Sequence, residues 1–252
     1  MPGEFDGFGL LSGGRFRLPW HTKTERNRMF KKKVFIGIAK YNGMEYQTEQ
    51  TLKALIDTRK NWEVGGYMEI IGRSAISRVR NDLATAFLKT DSDFLFFLDT
   101  DMNWIPQNDK EENPIDVMLD SIWQNKEIDI ISPPMTNRQE PIRALWRPIT
   151  KAGLDVWNRN KPFQVLHTGT GFMLIKRRVL EGLIKAGHHA PFMPVWCSEE
   201  KVETSDDVAF CRRALQCGFK IWLQPNILIG HIGKYAFNVE NIKPILQEEA
   251  KK

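Results

Sequence analysis

The sequence lacks most of the features that would classify it quickly. Only three of its 252 residues are cysteine (Cys197, Cys211 and Cys217), an odd set without a CxxC spacing. That excludes a disulfide framework and gives no support to a zinc or redox site; such cysteines are expected as small, buried core residues. No apolar run approaches the roughly 20 residues of a membrane helix. Met1 to Leu11 contains Glu4 and Asp6 and no basic n-region, so it does not read as a secretory signal. The expected location is cytoplasmic. No internal repeat is visible. Thr168-Gly169-Thr170-Gly171 is too short for a Walker loop, and no GKS or GKT follows it.

What is present is an ordinary globular composition, 42% hydrophobic, with a net charge of +5 that is unevenly spread. Between Arg15 and Lys33 stand Arg15, Arg17, Lys23, Arg26, Arg28, Lys31, Lys32 and Lys33 against one acid, Glu25. Residues 1–32 are also Gly-rich and lack periodicity, and are expected to form a loosely ordered basic extension. Two readings of it stand: an arm that lies on nucleic acid or another polyanion, or a solvated extension. Residues 33–252 are long enough for a single α/β domain.

Strand and helix signals alternate through the first half of that domain. Val34–Ala39 reads as a strand, Tyr46–Arg59 as a helix, and Tyr67–Ile71 as a short strand. From Ser74 to Leu88, Ile76, Val79, Leu83 and Phe87 recur at helical spacing. Arg73, Ser77, Arg80 and Ala84 form a second stripe on which both guanidiniums can point the same way. Phe94-Leu95-Phe96-Phe97-Leu98 is apolar throughout, which predicts a central strand of a mostly parallel sheet, covered on both faces. A helix over Pro114–Gln124 starts suitably on proline, and a strand follows at Ile128–Ser132. The second half is less regular. Strands are expected at Arg143–Trp146, Gln164–His167, Phe172–Lys176 and Lys220–Leu223, and helices near Arg178–Ala186 and Asp206–Cys217.

In open α/β sheets ligands gather at the carboxyl ends of strands. Directly after the buried strand comes Asp99-Thr100-Asp101, whose carboxylates can converge on a hard divalent cation. The alternative is a solvated acidic turn. A second acidic pair, Asp206-Asp207, follows Ser205, a good N-cap, and suits a first helical turn. Helix stability alone would account for both acids. Their spacing separates them, however: Asp207 shares the apolar stripe of Phe210, Cys211, Ala214 and Cys217, whereas Asp206 lies with Ala209, Arg213 and Gln216. Asp207 is therefore the one expected to point toward the sheet, where it could take a proton from an acceptor hydroxyl. His231, between Gly230 and Ile232-Gly233, is a candidate third metal ligand or a hydrogen-bonded structural histidine. Asn42, Arg73 and Arg80 are candidates to face a nucleotide, arginine being suited to phosphate; salt bridges to Asp82, Asp91 or Asp93 are the rival. The turn around Gly171 is expected beside the acceptor, and Trp146 and Trp196 are stacking surfaces for a sugar or else core residues.

The ordered series Ile36–Gly43 (IGIAKYNG), Arg78–Asp82 (RVRND), Phe94–Met102 (FLFFLDTDM), Gly169–Lys176 (GTGFMLIK) and Ser205–Arg213 (SDDVAFCRR), ending in His231-Ile232-Gly233, resembles family-2-like glycosyltransferases, small versions of which occur in bacteriophages and bacteria. The similarity runs from about Val34 to Phe237. It implies a GT-A-like fold, an open mixed α/β sheet flanked by helices that binds a nucleotide-diphosphate sugar. It further implies that Asp99 and Asp101 are the DxD pair, with Asp101 the closer metal ligand and Asp99 nearer the ribose. Asp207 would be the catalytic base of inverting members, His231 the residue completing a Mn²⁺ or Mg²⁺ site, and Lys40, Tyr41 and Asn42 the loop around the nucleotide base. Asp206 stands where Glu is usual, and Lys40 where a small residue is common.

The resulting expectation is metal-dependent transfer of a hexose-like sugar to a hydroxyl acceptor, such as a modified DNA base or a surface glycan, in the cytoplasm (of the host cell if the chain is viral). A nucleotidyltransferase with a similar strand-end metal site, and a non-catalytic nucleic-acid-binding module, are the alternatives.

Overall fold

The computed structural model describes residues 31–40, 43–104, 106, 111–149, 161–198, 201–233 and 236–238. The basic extension through residue 30, and the candidate nucleotide-loop residues Tyr41 and Asn42, lie outside the described residues. The unit Lys31–Lys252 holds every element below.

The main sheet has eight strands, with β1 Lys32–Lys40, β2 Trp62–Ile71, β3 Phe94–Leu98, β5 Ile130–Ser132, β6 Arg147–Pro148, β7 Phe163–His167, β8 Phe172–Lys176 and β11 Ile221–Leu223 in the order β2-β1-β3-β8-β5-β11-β7-β6. β1 pairs parallel with both β2 and β3, but β8 lies antiparallel between β3 and β5. The expectation of a mostly parallel surrounding for β3 is thus corrected. One neighbour is parallel and the other antiparallel, because the short link after β7 carries that strand's direction, already antiparallel to β11, on into β8 without a helical crossover. Lys32, expected in the extension, begins β1.

Alternation explains why β3 is apolar at every position. Leu95 and Phe97 belong to one core, with helices α2 (Ile76–Leu88), α4 (Arg177–Lys185) and α5 (Asp206–Gln216). Phe94, Phe96 and Leu98 belong to another, with α1 (Tyr46–Asp57) and α3 (Pro114–Gln124). Successive side chains of β1 and β8 divide between the same two cores, giving three layers with the sheet in the middle.

Local chemistry sets the helix ends. The Asn113 side chain accepts from the N–H groups of Ile115 and Asp116 before Pro114 opens α3. Ser205 Oγ accepts from Val208 N at the start of α5. That helix stops where Gly218 (φ 83°) lets its own N–H reach Leu215 O and Phe219 N–H reach Ala214 O.

Two short sheets complete the fold. β4 (Met102–Asn103) pairs with β12 (Gly230–Ile232), which pairs with β13 (Ala236–Phe237). A hairpin of β9 (Trp196–Cys197) and β10 (Val202–Glu203) precedes α5. The strand expected at Arg143–Trp146 is absent; in its place are a single Thr136–Ala144 bridge and the two-residue β6. Among the described residues no helix is long and apolar enough to cross a membrane. Cys197 and Cys211 are buried and Cys217 partly so.

Candidate active site

The carboxyl end of β3, the start of α5, one arginine of α2 and the turn between β7 and β8 meet at one place. The expected second stripe of α2 faces inward: Ser77, Arg80 and Ala84 are all buried. Ile76, assigned to the apolar stripe, is instead exposed. Arg73 precedes the helix and lies on the surface, paired with Asp82, so only Arg80 of the two reaches the site.

Arg80 is 4% exposed. Its Nη2 donates to Asp99 Oδ2 at 2.7 Å, and its Nη1 donates to Asp207 Oδ1 at 3.0 Å and to Asp206 Oδ2. Burial works against its charge, but Asp99, Asp207 and Asp206 together outweigh that and raise its pKa. The same burial pushes Asp99 up to about 6 against the pull of Arg80, with Asp101 and the α5 acids adding to the rise. Asp206 is raised for the same reason, burial first, with Arg80 opposing. The relative burial of the two α5 acids is the reverse of that expected from spacing. Asp206 is the more deeply buried, because Arg80 draws it inward beside Ala209, and Asp207 is left partly exposed at the edge.

Asp207 is held from one side. Its Oδ1 accepts from Thr170 Oγ1 and Arg80 Nη1, whereas Oδ2 has no hydrogen-bond partner among the described residues. Thr170 lies in the Thr168–Gly171 turn, which is closely fitted to the site. Asp99 N donates to Gly171 O at 2.8 Å. A Cβ on Gly171 would stand 3.0 Å from Asp99 Oδ2 and 2.7 Å from Met102 Cε.

Asp101 and His231 form the second half of the site, brought together by the β4–β12 pairing. Ile232 N donates to Asp101 O at 2.7 Å. His231 Nδ1 donates to Thr136 O at 2.7 Å, because a carbonyl only accepts, and this turns Nε2 toward Asp101 Oδ2 at 3.3 Å. Burial opposes charge on both groups. Their mutual attraction nevertheless raises the His231 pKa and, together with Arg138, lowers that of Asp101.

Among the described residues no three His, Cys, Asp or Glu side chains converge closely enough to cage a metal. The donor pair Asp101–His231 does fit a cation carried largely by its substrate. An O···N separation of 3.3 Å is close to the roughly 3.0 Å between adjacent octahedral ligands at about 2.1 Å, and Mg²⁺-type sites need only one or two protein carboxylates beside phosphate oxygens. A backbone acceptor on the remote histidine nitrogen is the usual support of a ligating imidazole.

Lys40 sits at the end of β1, its Nζ 3.7 Å from Glu69. Trp146 is buried in the first core, with no free face for a sugar; Trp196, on the hairpin before α5, is 65% exposed. Sequence reasoning missed Thr170, Thr136 and Arg138, which donates to Asp101 Oδ2. Arg80, expected to face a nucleotide, is instead occupied by Asp99, Asp206 and Asp207.

Comparison with known proteins agrees with this topology. No family model matches the sequence, and no curated protein matches it. Among solved structures, GalNAc-T7 with UDP, GalNAc and Mn²⁺ superposes with a TM-score of 0.53 at 11% identity, over 81% of this chain and 44% of that one. The chain thus spans less than half the length of that protein. A197 from STIV aligns over 80% of this chain and 86% of that one, with a TM-score of 0.49 and 18% identity. The fold is GT-A-like, an open mixed α/β sheet flanked by helices.

Proposed function

We propose that residues 33–252 form a catalytic domain that moves a sugar from a nucleotide-diphosphate donor to a hydroxyl acceptor, aided by Mn²⁺ or Mg²⁺. The observation that carries this reading is the convergence of Asp99, Asp101, Asp206 and Asp207 at the carboxyl end of β3, with Arg80 and Arg138 as the arginines among them. Four carboxylates against two guanidiniums and the His231 imidazole still leave a local excess of negative charge that calls for a cation. Likeness to a structure solved with UDP and Mn²⁺ supports the same direction through fold alone.

In this reading Asp101 and His231 would hold a divalent cation, which would supply positive charge to offset that developing on the leaving diphosphate. Asp99, fixed by Arg80 and by the backbone of Gly171, faces the donor ribose. Asp207 offers Oδ2 to the acceptor hydroxyl while Thr170 and Arg80 keep the carboxylate from turning. It takes the hydroxyl proton as the oxygen bonds to the anomeric carbon and the bond from that carbon to the diphosphate breaks, releasing a nucleoside diphosphate. The family resemblance makes inversion the expected outcome. Lys40, with Tyr41 and Asn42, would line the base. The acceptor hydroxyl is one on a modified DNA base, a surface glycan or a protein side chain; duplex binding that weakens steeply with salt would favour the first.

The test is a panel of nucleotide sugars with Mn²⁺, scored for nucleoside diphosphate release with and without acceptor. Asp207→Asn should lower transfer by about 10²–10⁴-fold and leave donor binding intact; full turnover would remove Asp207 from the base role. Asp101→Ala should abolish Mn²⁺-dependent thermal stabilisation by a nucleoside diphosphate. Consumption of a nucleoside triphosphate with release of pyrophosphate would instead assign nucleotidyl transfer.

A further inference from the structure

Arg138 has no part in the chemistry above, yet it touches the atom on which that chemistry depends. It sits at the tip of a short hairpin, closed by Leu145 N–H to Met135 O at 2.9 Å and Asn137 N–H to Arg143 O at 3.0 Å. The same hairpin carries Thr136, whose carbonyl fixes His231. One loop therefore orients one donor of the cation pair and blocks the other, since Arg138 Nη1 donates to Asp101 Oδ2, the oxygen that His231 Nε2 faces at 3.3 Å.

The two site arginines differ in kind. Arg80 is enclosed and divided among three carboxylates. The Arg138 side chain is 58% exposed, and Asp101 is its only ion-pair partner among the described residues. With its arginine side open to water, this pair is more weakly held than the enclosed Arg80 cluster. A divalent cation shared by Asp101 and His231 would claim the same oxygen and repel the guanidinium. The displaced group would remain tethered to a hairpin at the rim, beside any phosphates the cation carries, and its planar fork matches phosphate oxygens.

We propose that Arg138 is an exchangeable counter-ion: it leaves Asp101 when the divalent cation binds and then pairs with the donor's diphosphate. The proposal rests on the cation site described above and adds a second, mobile diphosphate ligand to it.

Calorimetric titration of Mn²⁺ alone, then of pyrophosphate at saturating Mn²⁺, tests it on the wild type, Arg138→Gln and Arg138→Lys, with melting curves as the check on folding. Arg138→Gln should bind Mn²⁺ about fivefold more tightly, because the competing pair is gone, and bind pyrophosphate about tenfold more weakly, because a charged hydrogen-bond donor is lost. Arg138→Lys should stay near the wild type in Mn²⁺ affinity. Opposite shifts in one variant are not expected of a merely structural residue. Unchanged or weaker Mn²⁺ binding by Arg138→Gln, or unchanged pyrophosphate binding, would overturn the exchange. A wild-type protein that binds Mn²⁺ neither alone nor together with pyrophosphate would remove the cation site itself, and the exchange with it.

Discussion

Replacing Arg80 with leucine tests whether the site is built on a buried cation. The guanidinium is 4% exposed and is shared by Asp206, Asp207 at 3.0 Å and Asp99 at 2.7 Å. Leucine keeps most of the buried volume but strands three carboxylates that repel one another. Removing one partner of a buried ion pair costs about 3–5 kcal/mol, and a domain of this size loses about 2–4 °C of melting temperature per kcal/mol. Arg80→Leu should therefore melt about 10 °C below the wild type. Adding Asp206→Asn removes the least exposed of the stranded charges (12% against 22% and 28% for Asp99 and Asp207) and should recover about 1–2 kcal/mol through coupling between neighbours.

The pH dependence has a fixed sign. Asp99 already stands at about 6 in the wild type, from burial. Without Arg80 the folded-state pKa values of Asp99 and Asp206 rise further above the unfolded value, so the folded state binds more protons. Stability then falls as pH rises through the folded pKa, and the deficit should be larger at pH 8 than at pH 5. Urea unfolding followed by circular dichroism measures both effects. A loss below about 1 kcal/mol, the scale of exposed pairs, or a double variant no more stable than Arg80→Leu, would refute the picture of a dry, charge-balanced cluster.

Gly171→Ala should cost about 1–2 kcal/mol by overpacking, since its Cβ would meet Met102 Cε at 2.7 Å and Asp99 Oδ2 at 3.0 Å. Because the flexible Met102 end can yield while the carboxylate is displaced, donor turnover should fall more than the melting temperature; equal effects would count against close fitting at Asp99. Burial pushes the Cys211 thiol up to about 12, so iodoacetamide at pH 8 should label the partly exposed Cys217 and leave Cys211 untouched until urea is added. Mass spectrometry of the labelled peptides decides this, and native labelling of Cys211 at the rate of Cys217 would contradict its enclosure.

The elements legible in the sequence are those whose own residues determine them. β3, β8 and α3 begin and end where their apolar runs and the Asn113–Pro114 cap predict, and the start of α5 follows from Ser205. β4, β9, β10, β12 and β13 were not visible, being two- or three-residue strands created by pairing with distant chain and not by local pattern. β3's mixed surroundings escaped for a related reason: a strand buried on both faces looks the same whether its neighbours run parallel or antiparallel.

The site divides along the same line. The strand-end position of Asp99 and Asp101 follows from a buried run that stops at Leu98, and the closeness of Asp101 to His231 requires the β4–β12 pairing that no periodicity reveals. The burial order of Asp206 and Asp207 went the other way from helical spacing because a charge on another helix overrides the hydrophobic stripe. Arg80, facing inward from α2, pulls the acid that spacing placed outside. Periodicity sorts side chains by water; within a buried site they are sorted by one another. The inward-facing arginine was itself the available clue, since a guanidinium among Val79, Leu83 and Ala84 is stable only where carboxylates meet it. Those carboxylates had to come from elsewhere in the chain, and the acids after β3 and at the start of α5 are the ones the fold delivers.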